Sequence, residues 1–71
     1  MMTNAIRAAR AGAALEAYAR FLDDDPRSFG PDELLSDLLC DLRHWADANG
    51  LDFQLTCGSA AISYEAEREE E

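Results

Sequence analysis

From Gly30-Pro31 to Asn49-Gly50 this chain carries an unbroken apolar stripe at helical spacing, bounded at both ends by helix punctuation. Leu34, Leu35, Leu38, Leu39, Leu42, Trp45 and Ala46 follow the i, i+3/i+4, i+7 rule, which places them on one side of an α-helix. Pro31 suits the first helical position, and Asp32 and Glu33 supply negative charge where the helix dipole favours it. Asn49-Gly50 is a C-terminal stop, with Leu51 placed to fold back over the last turn. Whatever this chain becomes, it must bury one side of this helix against something.

A first helix is expected over Thr3 to Leu22, a stretch rich in Ala and Arg with Thr3 or Asn4 as N-cap. Ala11, Ala14, Leu15, Tyr18, Phe21 and Leu22 fall on its one apolar face. Asp23-Asp24-Asp25-Pro26 ends it, because acidic residues oppose the dipole there and proline disfavours helix before itself. A loop over residues 23–31 follows, with Phe29 expected as an inward anchor. Trp45, the only tryptophan, is expected in the core with Leu38, Leu42 and Phe53.

Beyond Asp52 the residues admit two readings. With period two, Phe53, Leu55 and Cys57 alternate, Gly58-Ser59 turns, and Ala60, Ile62 and Tyr64 return as a β-hairpin. With period 3.6, Asp52 caps a helix whose inner stripe is Phe53, Cys57, Ala60, Ala61 and Tyr64. The closing run Glu65-Ala66-Glu67-Arg68-Glu69-Glu70-Glu71 fits a helix better than a strand.

A resemblance bears on that choice. The run from Asp37 to Phe53, DLLCDLRHWADANGLDF, followed by Tyr64-Glu65-Ala66-Glu67, resembles a family of small, largely uncharacterised helical proteins encoded by bacteriophages, plasmids and integrative elements. Their shared core reads DLLxDLxHWxDxxGxDF with a YEAE-like close, and the likeness covers roughly residues 34–67. The resemblance implies a third helix after Asp52-Phe53 and a mobile-element setting; it implies no activity. Gln54, Leu55, Thr56, Gly58 and Ser59 depart from the helix formers typical there.

Charge narrows the classes of partner. Fifteen acidic residues stand against six arginines and no lysine, a net charge of −9. Residues 1–22 hold a local +2, and the remainder therefore holds −11. Such a surface repels nucleic-acid phosphates and anionic lipid, while admitting a basic protein surface. No apolar run approaches the roughly 18 residues of a membrane span, and the first residues lack the apolar region of a secretion signal. The cytoplasm is the expected compartment, with Cys40 and Cys57 as reduced thiols.

Sites of chemistry are thin. Cys40 and His44 share the i, i+4 spacing of two metal ligands, but a structural zinc needs four. His44 beside Asp41 or Asp47 could serve as a base, yet no nucleophile or phosphate-binding glycine loop accompanies it. No catalytic residue, metal ligand or cofactor is assigned.

Two surfaces remain as candidates for partner binding. Glu33, Asp37 and Asp41 repeat every four residues, about 6 Å apart along the helix. Like charges at that spacing cost some stability, so they suggest a surface that imitates a phosphate backbone. Leu55 and Ile62, with Ala66, form a second apolar stripe on the back of a third helix and would call for a partner, a second copy among the options.

The sequence thus predicts a small all-α three-helix domain over residues 1–71, with an acidic tail from about residue 65 and a third helix over 52–67 in preference to a hairpin. It predicts a non-enzymatic protein-interaction module from a mobile element, with an acidic inhibitor of a host defence or nucleic-acid-handling complex as its sharpest form. The alternative is a small dimerising accessory subunit.

Overall fold

A computed structural model describes residues 2–22 and 30–70, and among them the architecture is all-α: α1 (Asn4–Phe21), α2 (Pro31–Ala48) and α3 (Phe53–Glu69). The expected anchor Phe29, the stop at 23–26 and the terminal Glu71 lie outside the described residues.

Each helix begins and ends where local chemistry dictates. Thr3 caps α1, its hydroxyl accepting from the Ile6 N–H at 3.2 Å. Pro31 opens α2 with Asp32 and Glu33 in its first turn. That helix closes in a paired C-terminal motif: the Leu51 N–H reaches back to the Ala46 carbonyl at 2.9 Å, and the Gly50 N–H to the Asp47 carbonyl at 3.3 Å. The motif needs a left-handed residue, and Gly50 supplies it at φ 68°. One residue later the Asp52 carboxylate accepts from the Leu55 N–H at 3.0 Å, starting α3.

The tail is therefore helix, not hairpin. Gly58 sits inside α3 rather than at a turn, and the left-handed glycine among the described residues is Gly50. Thr56, Gly58 and Ser59, each costing a few tenths of a kcal/mol to about 1, are accommodated in a helix that starts at the Asp52 cap.

Tertiary packing departs from the expected core. Ala19 and Ala46, at 0% and 5% exposure, are the buried apolar residues among those described. Trp45 is 59% exposed, Phe21 83% and Leu42 42%, whereas Leu38 and Phe53 are half-buried. The expectation of a Trp45-centred core, with Phe21 facing inward, is thus corrected. Its cause is the way the helices meet. Tyr18 and Ala19 approach α2 along the Asp41 edge of its apolar stripe, where Leu34 and Leu38 are half-buried, and the rest of the stripe stays open. Ala46 and Leu51 mark where α2 hands over to α3. Asn4 and Arg7, near the start of α1, hold Glu67, near the end of α3. Because α1 meets α2 through its last turn and α3 through its first, the helices enclose little common interior.

Two measures agree. The Cα radius of gyration is 13.9 Å, against about 11 Å for an ordinary globule of this length. The accessible surface is 5825 Å², against about 4,400 Å² for a folded monomer of 7.8 kDa. Roughly 1,400 Å² more surface faces solvent than this mass normally exposes.

Candidate functional site

Three surfaces of α2 and α3 carry what chemistry the chain displays. Along α2, every fourth residue advances by about 40° around the axis, so Glu33, Asp37 and Asp41 drift across the helix rather than lie in one column. Glu33 stands opposite the apolar stripe, Asp37 follows, and Asp41 arrives at the stripe's edge, beside α1. All three are exposed.

Asp41 is engaged within the chain. The Tyr18 hydroxyl donates to its Oδ2 at 2.5 Å, a short contact of the kind a carboxylate acceptor produces. The bond stabilises the protonated phenol, and with partial desolvation and the nearby carboxylates of Asp41 and Asp37 it pushes the Tyr18 pKa up to about 12. The acidic row therefore divides. Glu33 and Asp37 face outward, and Asp41 ties α1 to α2.

A second polar clasp joins α1 to α3. The Asn4 side-chain amide donates to the Glu67 carbonyl at 3.1 Å while its oxygen accepts from the Arg7 guanidinium at 2.7 Å. Arg7 Nε in turn lies 3.2 Å from Glu67 Oε2, with both side chains partly covered. Neither the Tyr18–Asp41 nor the Arg7–Glu67 pairing is foreseeable from one-dimensional spacing, since the partners lie 23 and 60 residues apart. The signal that hinted at the second was the separation of a basic α1 from an acidic remainder.

The apolar surfaces are larger. On α2, Leu35, Leu39, Leu42 and Trp45 are 42–59% exposed, from Trp45 on the Asp41 side of the stripe to Leu39 at its far edge. On α3, Leu55 and Ile62 are 71% and 76% exposed on the back face, as their spacing implies, and Tyr64 on the inner face is 60% exposed. Both sides of α3 thus meet solvent.

The remaining candidates do not converge. Cys40 and Cys57 are free and exposed. Among the described residues no three His, Cys, Asp or Glu side chains gather as metal ligands would. A shallow, mainly polar depression at the α2–α3 turn, bounded by Arg43, Asp47, Asp52 and Phe53, holds charges of both signs and no nucleophile. No described helix is long and apolar enough to cross a membrane.

No protein-family model, curated protein or solved structure matches this chain. What it does must be argued from these surfaces.

Proposed function

We propose that this chain acts by binding another protein and has no enzymatic activity of its own. The observation behind the reading is its unburied apolar surface: eleven large hydrophobic residues are at least 42% exposed, while only two alanines are buried among those described. A chain that leaves so much apolar surface in water gains stability when a partner covers it. Charge then selects among partners. Glu33 and Asp37 on the outer side of α2, and Glu65, Glu69 and Glu70 on α3 and beyond it, are exposed carboxylates suited to a basic protein. The concrete form of this reading is an acidic inhibitor that occupies the basic groove of a host nucleic-acid-handling or defence complex, in keeping with the mobile-element setting that the resemblance implies.

The experiment is affinity capture from bacterial lysate, with tagged wild type beside a Glu33→Gln, Asp37→Asn variant. The reading expects a nucleic-acid-binding protein that wild type retains, the variant loses and high salt releases. The purified captured protein should then lose its hold on nucleic acid when the chain is added. Equal retention by both forms would refute acidic recognition.

A further inference from the structure

We infer that the exposed α2 stripe of Leu35, Leu39, Leu42 and Trp45 is the contact surface of an antiparallel homodimer, covered by the same stripe of a second copy. The inference rests on the interaction-module reading and names the occupant of one of its open surfaces.

Spacing is the first argument. Leu35, Leu39 and Leu42 recur at intervals of four and three residues, the 3.5-residue mean that keeps a seam facing a parallel or antiparallel neighbour helix. Leu35, Leu39 and Leu42 lie on the side of the stripe away from the Asp41 edge that α1 approaches. That open side matches one more helix, and a two-fold pair supplies it with no additional component.

Area is the second. A standard interface buries about 800 Å² per partner, and obligate homodimers bury at least about 1,000. The surplus of roughly 1,400 Å² belongs to the chain as a whole, and α2 carries four of its eleven exposed large hydrophobic residues, more than either other helix.

Charge fixes the direction. Asp32 and Arg43 are about three turns apart and border the same edge of the stripe. In an antiparallel pair each edge faces its own counterpart running the other way, so Asp32 approaches Arg43 of the partner subunit, and Arg43 approaches the partner's Asp32. A parallel pair would instead turn the Asp32 and Arg43 edge toward the opposite edge of the partner's stripe, the Asp41 side that α1 already approaches. Glu33 stands opposite the stripe and Asp37 well off its edge, so both remain outside the contact. The assembly would display two acidic surfaces instead of one.

Each copy carries −9, so overall repulsion opposes pairing and salt relieves it. The homodimer should therefore hold or tighten in high salt, the reverse of capture by a basic partner. Light scattering across salt concentration should give twice 7.8 kDa for wild type, and 7.8 kDa for Leu39→Glu. A wild type that stays at one chain mass at high concentration and high salt overturns the inference. So does a Leu39→Glu variant that remains dimeric.

Crosslinking gives a readout that does not depend on the folding of Leu39→Glu. In a Cys40→Ser, Cys57→Ser background, Leu35→Cys and Leu42→Cys chains are mixed and treated with a short bis-maleimide. The antiparallel pair joins Leu35→Cys to Leu42→Cys, and Leu35→Cys alone gives little product. Strong self-crosslinking of Leu35→Cys overturns the antiparallel arrangement. A monomeric result leaves the capture experiment standing, and failed capture leaves the dimer standing, so the two readings fail separately.

Discussion

Replacing Trp45 by Ala separates a monomer with an internal core from a chain whose interior is completed by assembly. A tryptophan fully withdrawn from water covers about 150–250 Å², and its removal from a true core costs about 3–5 kcal/mol. Here the residue is 59% exposed. Only about two-fifths of that area, roughly 60–100 Å², is withdrawn within one chain, worth about 1.5–2.5 kcal/mol at 25 cal/mol per Å². The other three-fifths, roughly 90–150 Å², adds about 2–4 kcal/mol only when a second surface covers it. Urea melts followed by circular dichroism should therefore give a cost of about 1.5–2.5 kcal/mol in dilute solution that grows with protein concentration. Because Trp45 is the sole tryptophan, the emission of wild type reports the same event directly. It should be red-shifted and open to acrylamide in dilute solution, then blue-shifted and protected on concentration. A cost of about 4 kcal/mol or more that is independent of concentration, with blue emission throughout, would refute the reasoning and place the ring inside a monomer.

Three further outcomes follow from single contacts. The Tyr18 phenol is held protonated to about pH 12 instead of 10.0; a pKa raised on folding adds stability fully present below 10, and that stability is lost as pH climbs to about 12. Ultraviolet titration of wild type minus Tyr18→Phe isolates this step, and a midpoint near 10 would refute the hydrogen bond to Asp41. Asp52→Ala removes the cap on the Leu55 N–H and should cost about 1 kcal/mol in urea melts, with the helical signal of α3 weakened; an unchanged midpoint would mean the cap is redundant. Ile62→Glu, at a position 76% exposed, should change stability in dilute solution by no more than about 0.5 kcal/mol, and a larger loss would place Ile62 against an unrecognised surface.

The helices were legible because their causes are local. Thr3, Pro31, Gly50 and Asp52 act on backbone groups within a turn of themselves, so α1 and α2 lie close to where spacing and caps placed them. The tail stayed open between helix and hairpin, since Phe53, Cys57, Ala60 and Tyr64 satisfy both periods; the structure takes the helix, with Asp52 capping its start. Burial was not legible. An apolar stripe states which side of a helix avoids water, but not the angle at which a neighbour crosses it. The Tyr18–Asp41 bond holds α1 at one margin of the stripe, where Leu34 and Leu38 are half-buried, while Trp45 and Leu42 stay exposed. The same bond removes Asp41 from the acidic row that its spacing had implied, while Leu55 and Ile62 lie outward as their period required.

That only two alanines are buried among the described residues also bears on how the molecule comes apart. Cooperative melting requires that losing one element expose much of the others, and contacts near helix ends transmit little of that loss. Amide hydrogen exchange in dilute solution should accordingly be graded, with helices opening one at a time at different free energies. On association through α2 the exchange rates of all three should slow together. Cooperativity would then be a property of the pair, and the unit that folds would be larger than the unit that is translated.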